Sequence, residues 1–243
     1  MEFWNRLTGA FRYGDYRLLW LLTMFGSIAV WMRILGSAQW LLDETGSAAM
    51  VGAIGVVQLV VQIPSTLWAG TLADRFDRKQ LLFFSYGLTT LTLLSLALLS
   101  LVGSLTPLLV YTAVGISAAT SALVSPSRTA LIPIIFPKEE LMLATSTDTA
   151  THNVAAIIGP LVFAYIATSF DLTTVFSVAG LAAFVSMLMP LLMGINGRAE
   201  RSNQEGSNTQ LEQTIEGIRY LKNHPLLPGL YLLDIGITTS SFY

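Results

Sequence analysis

Apolar residues run along this chain in long blocks separated by short polar breaks. A helix needs about 20 apolar residues to cross a hydrocarbon layer of roughly 30 Å. Six blocks meet that length, at 18–42, 50–73, 80–102, 106–128, 144–168 and 172–194, and a seventh starts near Leu226 and runs to Tyr243. The breaks hold turn-forming residues, as in Asp43-Glu44-Thr45-Gly46-Ser47, Gly103-Ser104 and Phe136-Pro137-Lys138. The pattern predicts an all-α membrane protein in four parts. These are a polar N-terminal segment 1–17, a six-helix bundle 18–194, a connector 195–225 and the start of a seventh span 226–243. Within the connector, Leu211, Ile215, Ile218 and Leu221 recur at helical spacing among charged residues. That fits either a helix lying on the membrane surface or a linker helix between two bundles.

Composition agrees with the spans. Of 243 residues, 53% are hydrophobic and 12% charged, with mean hydropathy +0.63, against roughly 25% charged in a soluble domain. A net charge of −2 and a pI of about 5.6 argue against a nucleic-acid partner. The absence of cysteine excludes disulfides and thiolate chemistry. No Gly-rich phosphate loop appears, and the two histidines, His152 and His224, stand in different segments. Neither a metal site, a cofactor nor an enzyme is expected. The first 17 residues are polar, and the apolar run after them is too long for a cleavable signal.

Basic residues set an orientation. Every Lys and Arg except Arg33 falls before span 1 or between spans 2 and 3, 4 and 5, or 6 and 7. The positive-inside rule makes that side cytoplasmic, with the N-terminus inside.

Between spans 2 and 3 the chain reads Gly70-Thr71-Leu72-Ala73-Asp74-Arg75-Phe76-Asp77-Arg78-Lys79. This resembles the major facilitator superfamily signature G-x-x-x-D-R-x-G-R-[KR], with Asp77 where the family has Gly. The resemblance implies an N-terminal six-helix bundle built as a 3+3 inverted repeat. Spans 1, 2, 4 and 5 would line a cavity or meet a second bundle, and spans 3 and 6 would turn towards lipid. It also implies a gating role for Gly70, Asp74, Arg75, Asp77, Arg78 and Lys79. Asp74 would oppose a helix N-terminus of the other half or pair with Arg75 or Arg78. Gly26, Trp31-Met32-Arg33, Gln39-Trp40-Leu41 and Pro126-Ser127-Arg128-Thr129-Ala130-Leu131-Ile132-Pro133 are similar to the drug and siderophore exporter branch, such as enterobactin and macrolide exporters. Asn153 and Gly159-Pro160 resemble in part the antiporter motif G-x-x-x-G-P-x-x-G-G. Ala155 and Phe163-Ala164 stand where that motif has its other glycines.

Polar residues inside the spans are functional candidates because they are costly there. Arg33 either faces a cavity, binding an anionic group or a buried carboxylate, or snorkels to the outer surface. Thr145, Asp148, Thr149, His152 and Asn153 recur at helical spacing and predict one polar stripe. In that stripe Asp148 and His152 could exchange protons, unless Asp148 merely sits at a helix start. Gln58 and Gln62 line a pathway or bond a neighbouring helix, and Asp234 places a further carboxylate in span 7. The expectation is an inner-membrane exporter of an amphipathic small molecule, coupled to protons, whose C-terminal bundle follows on the same polypeptide. The rivals are a metabolite importer of the same superfamily and a non-transporting half-length membrane module.

Overall fold

In a computed structural model of the chain, residues 9–197 are described, together with Gly229 and Leu233 further on. The connector beyond 197, the seventh span and Asp234 fall outside the described residues, as do the side chains of Asp74 and Arg75.

Six helices of membrane-crossing length and apolar composition follow one another: α1 Gly14–Thr45, α2 Ala48–Arg75, α3 Arg78–Leu101, α4 Pro107–Thr129, α5 Leu141–Ser169 and α6 Leu172–Leu192. A helical turn at Ile132–Ile135 bridges α4 towards α5. Among the described residues the first six expected spans are present, and α1 is longer than its apolar block at both ends. Backbone hydrogen bonding does not stop where hydrophobicity does, so the exposed polar turn Asp43-Glu44 stays helical. The helix ends at Gly46, whose φ of 63° is left-handed, and the Gly46 N–H donates to the Leu42 carbonyl. Glycine takes that conformation without the steric cost of a Cβ.

Two helices start alike. Phe76 and Phe170 are extended residues that close α2 and α5, and Asp77 and Asp171 follow as the N-caps of α3 and α6. Asp77 accepts the Lys79 N–H at 2.8 Å; Asp171 accepts the Thr174 N–H at 2.8 Å and its hydroxyl at 2.6 Å. Asp77→Ala is expected to lower stability by about 1 kcal/mol, the usual cost of a lost cap. The Thr174 bonds also hold the Asp171 carboxyl below the usual carboxylate range. Their contribution is complete above the unfolded pKa near 3.9 and is lost as pH falls through the lower folded value. Thermal unfolding followed from pH 7 to 3 should therefore show a small acid-dependent loss that Asp171→Asn diminishes.

The packing has a two-fold pattern. Helix α1 packs on α5 and α6, α4 packs on α2 and α3, and α3 packs on α6. Exchanging α1 with α4, α2 with α5 and α3 with α6 maps that set onto itself, as a 3+3 inverted repeat requires. The α3–α6 seam repeats the pattern at residue level. Gly87 of α3 faces Met187 of α6, and Leu94 of α3 faces Gly180 of α6. A Cβ on Gly180 would lie 2.6 Å from Leu94 Cδ2. Each helix thus offers one glycine and, seven residues on, one large side chain.

The core lies in separate patches along the bundle. At one end Tyr16, Leu19, Leu82, Leu131, Ile132, Phe136 and Met193 are buried together. Midway, Ala29, Met32, Leu93, Val175 and Ala179 pack, and at the far end Leu41, Ile54, Val110 and Val114 do. Exposed apolar faces run along α2 (Val56, Leu59, Val60, Ile63, Leu67) and α5 (Val154, Ile157, Leu161, Tyr165). The outer sides of α3 (Phe84, Leu91, Leu98) and α6 (Leu181, Leu191) are also apolar and exposed.

Candidate functional site

A cleft of about 370 Å³ lies between the helices, with walls from α1 to α5. Arg33 and Ser27 reach it from α1, Gln62 from α2, Tyr86 and Thr89 from α3, Ser117, Thr120 and Arg128 from α4, and His152 from α5. It is the place where polar side chains of an otherwise apolar bundle converge.

Arg33 is buried at 3% exposure, and its Nε and Nη1 have no hydrogen-bond partner. The ion pairs formed among the described residues join Arg12 to Glu140 and Arg128 to Asp148, so Arg33 has no carboxylate within reach there. Insertion scales put an arginine at the centre of a membrane helix at roughly 2.5–3.5 kcal/mol. Its side chain is enclosed by the bundle and lines the cleft. Ser117 Oγ, on the facing α4 wall, is also buried without a partner.

Arg128 and Asp148 form a largely buried ion pair, with side chains 8% and 12% exposed. Arg128 lies in the last turn of α4, where the negative end of the helix dipole adds to its stabilisation. His152 is directed elsewhere: its Nδ1 is 3.3 Å from Ser27 Oγ on α1. The expected stripe on α5 therefore divides. Asp148 engages α4, His152 engages α1, and Asn153 is exposed. The Thr145 and Thr149 hydroxyls bond carbonyls of their own helix. Spacings of three and four residues drift around a helix, and α5 has neighbours on two sides that draw the stripe apart. The buried face of α5 runs instead through Ala144, Thr147, Thr151, Ala155 and Gly159. A Cβ on Gly159 would lie 2.6 Å from Trp31 Cβ, so α1 and α5 touch closely one residue before Pro160. On α2, Gln62 lines the cleft while Gln58 is absent from its lining and half-buried.

The loop motif binds the bundle's own helix ends. Arg78 Nη1 donates to the Ala130 carbonyl beyond α4 at 2.9 Å. Lys79 Nζ donates to the Met193 and Ile195 carbonyls beyond α6 at 2.6 and 3.3 Å. Cationic donors at helix C-termini satisfy carbonyls that have no partner within the helix. Asp15, in the first turn of α1, accepts the Gly194 N–H at 2.7 Å, and Arg12 pairs with Glu140 at the start of α5. The connectors that sequence places on one side thus meet at one end of the bundle. Gly70 is exposed on α2.

Nothing in the sequence marks Arg128 as the partner of Asp148, or Ser117 as a cleft residue. The one hint at Arg128 is a lone basic residue closing an apolar span.

Comparison with known proteins agrees with this architecture. The family pattern described as Major Facilitator Superfamily matches residues 19–243. An uncharacterized MFS-type transporter of Bacillus subtilis, YfiS, is 27% identical over 65% of this chain and 37% of its own length. The staphyloferrin A transporter of Staphylococcus aureus is 24% identical over 66% of this chain and 41% of its own. A Na(+), Li(+), K(+)/H(+) antiporter of Planococcus maritimus is 24% identical over 78% and 42%. The chain spans about two fifths of the length of these relatives. Six membrane-length helices, their two-fold packing and a family match over nearly the whole sequence lead to one assignment: the chain belongs to the major facilitator superfamily, a family of membrane transporters and not of enzymes.

Proposed function

We propose that this chain is the N-terminal half of a transporter of the drug and siderophore exporter branch. The full-length protein would move an amphipathic small molecule out across the inner membrane in exchange for protons. The observation that carries this reading is the cleft, whose walls include Arg33, His152 and Arg128, the last paired with Asp148. Charged groups are kept in such a place when they handle a solute or a proton. Among the relatives, one is named for a siderophore and another for exchanging cations against protons, which supports export with proton coupling.

In alternating access two bundles rock about a site near the membrane midplane. The unpartnered apolar faces of α2 and α5 are where the second bundle would pack, leaving the outer sides of α3 and α6 to lipid. The positive-inside rule puts the N-terminus and the Arg78–Lys79 end in the cytoplasm. There Asp74 and Arg75 would meet the second bundle while Arg78 and Lys79 hold the first together. A proton on Asp148 would cancel its charge and release Arg128 into the cleft; His152, bonded to α1 through Ser27, stands beside it as the second proton carrier. Asp234 remains a further carboxylate candidate for the proton path.

Inside-out vesicles holding the full-length protein test the reading with a fluorescent amphipathic dye under an imposed pH gradient, acid inside. Dye should accumulate with the wild type and fail to do so with Asp148→Asn. Undiminished accumulation in both Asp148→Asn and His152→Ala would remove these residues from the proton path. Uptake only in right-side-out vesicles would favour an importer, a reading consistent with Ala155 and Phe163-Ala164 standing where the antiporter motif has glycines.

A further inference from the structure

We infer that Arg33 is the anchor for a carboxylate on the transported molecule, an inference that rests on the transporter reading above and names its substrate class as amphipathic carboxylates. Arg33 stands about 28 Å along α1 from Gly14 at 1.5 Å per residue, deep among apolar neighbours such as Ala29 and Met32. At 3% exposure the residue is largely withdrawn from water, and two guanidinium nitrogens, Nε and Nη1, are buried and unsatisfied while the side chain lines the cleft. A buried, unpaired cation is unfavourable until an anion arrives, so the ligand supplies what the bundle leaves out.

The chemistry of the walls narrows the anion. Arginine presents a planar fork of donors that matches a carboxylate in bidentate geometry. Arg128, the other arginine in the cleft, is already neutralised by Asp148. Among the described residues the cleft therefore offers one free positive charge, which suits a singly charged carboxylate better than a doubly charged phosphate. Ser117 Oγ, unpartnered on the opposite wall, is a donor for a second polar atom of the same ligand. Val30, Ile34 and Val124 also line the cleft and give an apolar body something to pack against.

The test uses purified full-length protein titrated calorimetrically with 2-naphthoate, with neutral 2-naphthamide and cationic 2-naphthylmethylammonium as matched controls. Naphthoate should bind at least tenfold more tightly than either control. Arg33→Gln should abolish that preference, and Arg33→Lys should keep part of it. Because Arg33 forms no ion pair among the described residues, ligand-free Arg33→Gln protein should melt no lower than the wild type, and naphthoate should raise the melting temperature of the wild type alone. Equal naphthoate binding by wild type and Arg33→Gln overturns the assignment. So does a lowered melting temperature in Arg33→Gln that Asp234→Asn reverses, since Arg33 would then be serving a carboxylate of the protein. Vesicle transport separates this inference from the reading beneath it. Arg33-dependent binding without movement of naphthoate or dye leaves the site standing and ends the export reading. Dye movement without any carboxylate preference does the opposite.

Discussion

Arg128→Ala is expected to destabilise the full-length protein by about 3–5 kcal/mol, the cost of removing one partner from a buried ion pair. Much of that figure is the price of leaving Asp148 buried and charged, not the net worth of the bond. Asp148→Asn should cost less, because the amide keeps a hydrogen-bond acceptor for the guanidinium. The double variant Arg128→Met/Asp148→Leu should recover most of the loss, since apolar replacement of a whole buried pair is often neutral. Reversible unfolding in detergent of Arg128→Met, Asp148→Leu and their double variant, arranged as a double-mutant cycle, measures the coupling. A coupling energy near zero would show that the pair holds nothing together. The same double variant separates two roles in vesicles. If it folds and loses pH-driven transport, the pair serves coupling; if transport survives with its pH dependence intact, the pair is structural.

The second large effect is expected at Gly159. Helix propensity favours Ala over Gly by roughly 1 kcal/mol, so a helix considered alone would gain from Gly159→Ala. Here the added Cβ would sit 2.6 Å from Trp31 Cβ, an atom fixed to the α1 backbone with no rotamer to escape into. Overpacking of this kind costs about 1–3 kcal/mol and outweighs propensity. Gly159→Ala should therefore lower the melting temperature, and Gly159→Leu should force α1 and α5 apart and abolish transport. The two helices bear Arg33 and His152, so their separation also widens the cleft. A rise in melting temperature for Gly159→Ala would show that α1 and α5 do not touch there.

Much of this architecture is legible in the sequence because a membrane simplifies the code. Every span must be apolar over its length, so block lengths locate α1 to α6, and the charges of the connectors sort them to one end. Helix limits are less legible, as Asp43 and Glu44 show, since a helix continues through polar residues once its backbone bonds are in place. The side-chain partnerships are illegible for a different reason. Asp148 is four residues from His152 but pairs with Arg128, twenty residues away and on another helix. That choice depends on the rotation and tilt of α4 and α5, which packing against α1, α2 and α3 decides. The loop motif shows the same limit. Its basic residues are plain to read, but which carbonyls Arg78 and Lys79 satisfy depends on where α4 and α6 end.

The α3–α6 seam carries a consequence for descent. Gly87 against Met187 and Leu94 against Gly180 form a self-complementary surface, of the kind that two copies of one molecule make across a symmetry axis. A three-helix unit bearing one such glycine and one such large side chain could have joined its own twin before both were carried on one chain. Later change along the seam is then constrained in couples. The constraint is tightest at Gly180, where a lineage that enlarged the glycine would have to trim Leu94 in the same stroke.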